Sequence, residues 1–353
     1  MTDVWVLGNG QLGAMLQQAA MPLAIRVNTV DIEAPLEATI PEKAVVTAER
    51  EHWPSTPATR LLINHPGFVS RRAFAELPDR KTQKQWLDRL ELANAKWRDL
   101  DAGITGETLH SELGDRVLLK RRTGGYDGKG QFWLRKNDIA IPDDWRGQAI
   151  AEEAVDFQDE ASIIGVRNAQ GRCEFYPLTL NLHSNGILMA SIAPVARLQG
   201  LQAQAEAMLG KLMQALNYVG VMAMECFLVG DQLLVNEVAP RVHNSGHWTQ
   251  AGSSISQFES HLRAITGLPL AKPLIKNTSV MLNLIGMERD DRWLGVAGAE
   301  LYWYGKQVLP GRKLGHINLS PSDNPGLRAA LEQLQPLLPA HYAATIEWIL
   351  QNL

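Results

Sequence analysis

Apolar residues gather at Val4 to Leu7 and give way to Gly8-Asn9-Gly10-Gln11-Leu12-Gly13. A helical spacing follows, with Leu12, Met15, Leu16 and Ala19 on one face. Ile25 to Val30 then reads as a second strand closed by Asp31, Val45-Val46 as a third, Pro57 to Asn64 as a helix and Phe68-Val69 as a fourth strand. This alternation predicts an open α/β layer at the N-terminus. Arg80 to Ala93 is rich in helix formers, and Asp99 to Gly106 reads as a connection. The pattern then changes. Val117 to Lys120, Gln131 to Leu134, Ala149 to Glu153, Ala161 to Val166 and Cys173 to Pro177 predict mostly antiparallel strands. Leu201 to Leu216 predicts a helix. Gly220 to Val229 and Gln232 to Val238 predict a hairpin around Gly230-Asp231. From Ser279 onward short strands mix with helical stretches near Pro325 to Leu334 and His341 to Leu350. The expected fold class is α+β after an α/β start.

Composition narrows the partners. The 353 residues are 45% hydrophobic, enough for two or three globular units. The balance of 34 basic against 38 acidic residues gives a formal net charge of -4, so no sequence-wide field draws nucleic acid. No window of 18 apolar residues appears, and the first residues lack a signal-peptide pattern, so a cytoplasmic protein off the membrane is expected. Cys173 and Cys226 are read as buried thiols, without metal-site spacing.

Gly8-x-Gly10-x-x-Gly13 after a strand, with Asp31 some 18 residues on, fits a dinucleotide fingerprint. It fits equally any tight strand-to-helix turn, or a site for another anion. A second glycine stretch, Thr123-Gly124-Gly125-Tyr126-Asp127-Gly128-Lys129-Gly130-Gln131, follows Lys120-Arg121-Arg122. It offers mobile backbone N–H groups beside cations, which suits phosphate; a plain surface hairpin is the alternative.

Glu225 and Glu237 each interrupt an apolar strand of the predicted hairpin. A buried carboxylate needs a partner or a metal, and two together favour Mg²⁺. Register decides whether they meet. A two-residue turn sets Glu225 opposite Asn236, whereas a three-residue turn, Gly230 to Gln232, sets it opposite Glu237; the odd turn is expected. Glu152, Glu153, Ala154 and Val155 end a strand where an adenine amino group and a ribose could be held, with Glu160 nearby; solvated acids at a strand end are the alternative. Arg241, His243 and Asn244 form a candidate anion cradle, or a polar loop satisfying its own backbone. Lys306, Arg312 and Lys313 flank Pro310-Gly311 as a candidate phosphate clamp or an ordinary charged turn.

Arg80, Lys120, the run Gly124 to Gln131, Glu225, Asn236-Glu237 and Ala239-Pro-Arg-Val-His-Asn-Ser-Gly-His-Trp-Thr249 together resemble the ATP-grasp superfamily. Within it, the chain most resembles the 5-(carboxyamino)imidazole ribonucleotide synthases of bacterial purine biosynthesis. The resemblance implies an α/β pre-ATP-grasp domain over residues 1–98, a lid over 99–182 and an antiparallel body with a small C-terminal strand region over 183–353. It implies that ATP and bicarbonate form carboxyphosphate, and that the amine of 5-aminoimidazole ribonucleotide is carboxylated, with ADP and phosphate released. Arg80, Lys120, Glu152, Val155, Glu160 and His183 would contact ATP under the loop Gly125 to Gln131, and Glu225 and Glu237 would hold Mg²⁺. Arg241, His243 and Asn244 would bind bicarbonate. Gln11, Leu12, Glu49, Tyr126, Lys306, Arg312 and Lys313 would hold the ribonucleotide, Glu51 being the alternative to Glu49. Ala239 stands where many relatives place a third, Asn metal ligand. A carboxyl group or His243 could act as general base. A homodimer is expected. The rival readings are a formate-dependent glycinamide ribonucleotide transformylase-like ligase and an NAD-dependent oxidoreductase.

Overall fold

The computed structural model describes residues 2–36, 38–125, 130–136 and 138–353. At the N-terminus β1 (Asp3–Leu7), β2 (Arg26–Val30) and β3 (Val45–Ala48) make a parallel sheet in the order β2-β1-β3. Helix α1 (Gln11–Ala20) crosses between β1 and β2, and α2 (Pro57–Asn64) starts with a Thr56 capping box. The expected fourth strand is a single bridge, Val46 to Phe68. Pro66-Gly67 breaks the chain there, leaving only the Val46 N–H to Gly67 and Val69 N–H to Val46 bonds.

α3 (Arg71–Glu76) and α4 (Arg80–Arg89) follow. α4 stops short of the expected Ala93 because Leu92 N–H returns to the Leu87 carbonyl while Glu91 takes a left-handed φ of 51°. The expected connection, Asp99 to Gly106, joins β4 (Trp97–Asp99) to α5 (Gly106–Leu113), two short elements that were not expected. With β5 (Arg116–Arg121), β6 (Gln131–Arg135) and β7 (Ala149–Glu153), β4 forms a four-stranded sheet in the order β4-β7-β5-β6.

The third sheet has nine strands: β8 (Asp159–Arg167), β9 (Cys173–Phe175), β10 (Thr179–Ser184), β11 (Ile187–Ala193), β12 (Gly220–Val229), β13 (Gln232–Ala239), β14 (Ser279–Ile285), β15 (Ala299–Trp303) and β16 (Lys313–Leu319). The order is β13-β12-β8-β10-β11-β14-β16-β15, with β9 on β8 and every pair antiparallel. β10 and β11 are not among the expected strands: Leu180 and Leu182 alternate with Asn181 and His183, and Ile187 to Ala193 is apolar apart from Ser191, but both runs are short. The division expected at 98/99 falls inside β4 and that at 182/183 inside β10. Cys226 is buried on β12, but Cys173 is only partly covered.

α6 (Gln202–Ala215), α7 (Thr249–Gly252), α8 (Gln257–Thr266), α9 (Asn324–Leu334) and α10 (Ala343–Gln351) flank this sheet. One face buries Leu209, Leu212, Met222 and Met224 with Leu331 and Ile346. The other buries Val221 and Ala223 beneath Phe258 and Leu262 of α8, and the same cluster takes in Val4, Val6, Met15 and Leu16. The N-terminal sheet is thus joined to the large sheet by continuous apolar packing, with α1 against α8 and α8 against β12. Among the described residues, no helix is long and apolar enough to cross a membrane.

Candidate active site

The carboxylate pair meets by a route other than the expected one. The hairpin turn is two residues long, since Val229 pairs with Gln232. In that register Cys226 lies opposite Val235, and Glu225 would have faced Asn236. A β-bulge then slips the ladder by one residue between Cys226 and Glu225, so that Glu225 stands opposite Glu237. The extra residue, Asn236, accepts a hydrogen bond from Lys120 Nζ at 3.1 Å. Burial lifts the Glu225 carboxyl above its ordinary range, partly countered by His183 and reinforced by Glu237 and Glu160. Glu237 is likewise pushed up by burial, but Arg80, whose Nη1 is 3.0 Å from its Oε2, holds it below the ordinary value.

Arg80 is aimed by the start of α4. Asp79 caps that helix, accepting from Lys81 N–H at 2.9 Å, and also takes the Arg122 Nε–H at 3.0 Å. The Arg80 N–H donates to the Arg122 carbonyl at 2.9 Å, which ties the start of α4 to the end of β5. Deeper in, Glu152 receives Lys120 on one oxygen at 2.6 Å and Lys84 on the other at 3.1 Å. Burial works against the Glu152 carboxylate, yet the two ammonium groups hold its pKa at about 2. Lys84 escaped the sequence reading, although it shares the buried face of α4 with Gln83, Trp86 and Leu87. A lysine on an apolar stripe signals a buried counter-charge.

A cavity of about 770 Å³ joins these groups. Its wall includes Gln11, Leu12, Glu49, Arg80, Lys120, Gly125, Gln131, Glu160, His183, Glu225, Asn236, Glu237, Arg241, His243, Asn244 and Lys313. Glu152, paired to Lys120, lies outside the wall; Glu153, Ala154, Val155, Gly130, Lys306 and Arg312 do not line the cavity either. The end of β7 spends its groups locally: the Glu153 carboxylate takes the Lys96 N–H at 2.9 Å, and the Ala154 N–H goes to the Arg116 carbonyl. Tyr126, Asp127, Gly128 and Lys129 lie outside the described residues. Unanticipated members of the wall are Phe157 and Phe227, stacked with centroids 4.4 Å apart, an apolar platform suited to a planar base. His183 Nδ1 sits 2.9 Å from Glu160 Oε2. Burial favours the neutral ring, but Glu160 and Glu225 hold His183 above the usual histidine range.

The loop after β13 is held from beneath. Gln257 accepts the His243 N–H at 2.9 Å and donates to the His243 carbonyl at 2.7 Å. Gly246 lets Gln257 approach: a Cβ there would lie 2.7 Å from its Oε1. Asn244 and Asn283 exchange amide hydrogen bonds of 3.1 and 2.8 Å. Gln257 and Asn283 were not foreseen; both are wholly buried polar residues within apolar elements. Arg241 Nε lies 2.9 Å from Glu51 Oε1, and His243 Nε2 is 3.5 Å from Glu225 Oε1. Burial, with the nearby Arg241 and Lys313 charges, keeps His243 neutral, well below the ordinary histidine value.

The first glycine motif serves a carboxylate of the protein itself. Glu49 Oε1 accepts the Gly10 N–H and Oε2 the Gly13 N–H, both at 2.5 Å. The anion position at the N-terminus of α1 is therefore filled by Glu49, and Asp31 turns to its own loop at the Glu33 N–H. This overturns the dinucleotide reading: a pyrophosphate would meet a negative charge. Gly8 has φ +116°, and a Cβ there would overlap the Glu49 side chain. Gly8→Ala is expected to cost more than about 1 kcal/mol, visible as a lowered unfolding midpoint in denaturant. Beside this corner Lys306 Nζ donates to Gln11 Oε1 at 2.5 Å and lies 5.5 Å from the Tyr304 ring, and Arg312 donates to the Gln307 carbonyl.

Comparison with known proteins agrees with this geometry. The ATP-grasp domain family model matches residues 85–258, and the phosphoribosylaminoimidazole carboxylase C-terminal domain model matches residues 279–330. The N5-carboxyaminoimidazole ribonucleotide synthase of Escherichia coli (strain K12) is 52% identical over 350 residues, 99% of this chain and 98% of that protein. That of Haemophilus influenzae is 50% identical over 353 residues, 99% and 97% of the two chains. Among solved structures, the N5-carboxyaminoimidazole ribonucleotide synthetase of Thermus thermophilus superposes with a TM-score of 0.83 at 37% identity, over 95% of this chain and 98% of its own. An Aspergillus clavatus N5-carboxyaminoimidazole synthase, solved in complex with ADP and 5-aminoimidazole ribonucleotide, gives 0.79 at 27% identity over 95% and 97%. By fold and by sequence along its length, the chain belongs to the N5-carboxyaminoimidazole ribonucleotide synthase family of ATP-grasp enzymes.

Proposed function

We propose that this cavity carries out the ATP-dependent carboxylation of 5-aminoimidazole ribonucleotide with bicarbonate, and that its residues divide the work by position. The observation that carries this reading is the bulge that sets Glu225 across from Glu237, between the Arg80–Lys120 cations and the Arg241–His243–Asn244 loop. Phe157 and Phe227 face the adenine, while Arg80, Lys120 and the loop at Gly125 to Gln131 receive the phosphates. Glu225 and Glu237 fit Mg²⁺: two oxygen donors pressed together, one of them destabilised by the other's charge. Such a donor set suits an ion that keeps waters and nucleotide oxygens, and the bound ion would supply charge neutralisation at the phosphates. Ala239 adds no side-chain ligand.

Arg241, His243 and Asn244 hold bicarbonate. A bicarbonate oxygen bonds to the terminal phosphorus as the bond to ADP breaks, and the site must then shield carboxyphosphate from water. The amine nitrogen bonds to the carboxyl carbon, phosphate leaves with the C–O electron pair, and the nitrogen loses a proton. Gln11, Leu12, Glu49 and Lys313 hold the ribonucleotide from the wall, with Lys306 and Arg312, which lie outside it, and Tyr126 as further contacts. A cytoplasmic homodimer that engages no nucleic acid belongs to the same reading and rests on the family likeness and the net charge of -4.

The test is ADP release from ATP, Mg²⁺ and bicarbonate, with and without 5-aminoimidazole ribonucleotide. The ribonucleotide is expected to accelerate release and to be consumed in equal amount. Dependence on formate instead of bicarbonate, or oxidation of NADH, would overturn the assignment.

A further inference from the structure

We propose that a chain of buried side chains, Ser191, Asn181, Ser162 and Ser245, holds His243 in the tautomer that carries its hydrogen on Nε2, so that the ring points an N–H into the cavity. This deepens the reading of His243 as a bicarbonate contact and rests on it.

Ser162, Ser191 and Ser245 are fully buried, and Asn181 is 4% exposed. They sit on β8, β10, β11 and the loop after β13, and on the three strands their sequence neighbours are apolar. Ser162 lies across from Glu225, and Asn181 across from Ser191. None of them lines the cavity. Their hydrogen bonds run in one line. Ser191 Oγ donates to Asn181 Oδ1 at 2.8 Å, and Asn181 Nδ2 donates to Ser162 Oγ at 2.9 Å. Ser162 Oγ donates to Ser245 Oγ at 2.8 Å, and Ser245 Oγ lies 2.9 Å from His243 Nδ1.

Direction follows from a fixed donor. The backbone N–H of Ser245 is 3.3 Å from His243 Nδ1, and a backbone N–H only donates. Nδ1 therefore accepts. The Ser245 hydroxyl already accepts from Ser162, so its single hydrogen turns to Nδ1. Running the chain backwards would place two hydrogens against each other at Nδ1. Nε2 is left with the hydrogen, on the side where Glu225 Oε1 lies at 3.5 Å. An N–H there can bond an oxygen of an anion and cannot take up the amine's proton. His243 is thus a binding donor, and Ser191, Asn181, Ser162 and Ser245 are positioning residues that act through it.

The test combines a spectrum with kinetics on the full chain. With ¹⁵N-labelled histidine, the His243 signals, identified by their loss in His243→Gln, should show the one-bond N–H coupling at Nε2 and a non-protonated Nδ1. Ser162→Ala frees the Ser245 hydroxyl to accept from Nδ1, leaving only the long 3.3 Å backbone bond to oppose that tautomer, and so should mix the two tautomers and raise the bicarbonate KM about tenfold, the effect of one lost hydrogen bond to a charged group. The ATP KM should stay unchanged, which a general loss of structure would not achieve. Should Ser162→Ala fail to fold, the wild-type spectrum decides. A hydrogen on Nδ1 in the wild type, or a Ser162→Ala protein with unchanged tautomer and bicarbonate KM, overturns the proposal. His243→Ala separates it from the underlying reading: an unaltered bicarbonate KM in that variant removes the bicarbonate contact, while the spectrum still reports the tautomer.

Discussion

Glu237→Ala is expected to abolish ADP release while leaving the protein folded. Its carboxylate is cross-strand to Glu225 and 3.0 Å from Arg80, so the change removes half of the only facing carboxylate pair among the described wall residues and frees a cation beside it. The side chain is 37% exposed, which keeps the effect on stability small. Partners that only support a metal's ligands are worth 10–100-fold, so losing a direct ligand should lower kcat by more than about 100-fold. Circular dichroism and the unfolding midpoint should match the wild type, and Glu237→Gln should also fail, since a neutral amide does not replace the charge. Near-normal turnover of Glu237→Ala would remove the metal assignment.

Lys84→Met should act through stability first. Lys84 and Glu152 are 4% and 5% exposed, and breaking one arm of a buried ion pair costs about 3–5 kcal/mol. Glu152 would keep Lys120 alone, tying that ammonium to the carboxylate and raising the ATP KM if Lys120 must turn to phosphate. The pH dependence has a definite sign. Glu152 is held at about 2 against an ordinary value of 4.5, so its pairing stabilises the fold above about pH 4.5 and is lost as pH falls towards 2. That shift alone corresponds to about 3 kcal/mol, from which the burial that pushes the Lys84 ammonium towards neutrality must be subtracted. In Lys84→Met the acid-induced loss should be smaller than in the wild type across that window. Equal urea midpoints for the two proteins at pH 7 would show that the Lys84–Glu152 contact carries no net stability.

The candidate site was legible where residue type alone limits the options. Two acids inside apolar strands, cations before a glycine loop and a polar string after a hairpin are costly unless they bind something, and Glu225, Glu237, Lys120, Arg241, His243 and Asn244 do share one cavity. Short strands that open on an apolar run, such as β7, and the helix from Pro57 to Asn64 were likewise plain in the pattern. β10 and β11 were not assigned, although Leu180 and Leu182 alternate with Asn181 and His183 and Ile187 to Ala193 is apolar apart from Ser191, because short runs cannot be told from helical segments by periodicity alone.

Register and long-range partnership lay beyond reach of the linear chain. The carboxylates face each other because a bulge at Asn236 corrects a two-residue turn, and a one-residue slip depends on neighbours on both sides of β12. The first glycine motif looked ready for any anion, and folding chose Glu49, which lies 36 residues from Gly13. Glycine spacing specifies an open helix N-terminus, but only packing of β3 against β1 brings that carboxylate to it. Local periodicity is written in residues a few positions apart; which groups neutralise one another is settled by contacts made across the folded chain.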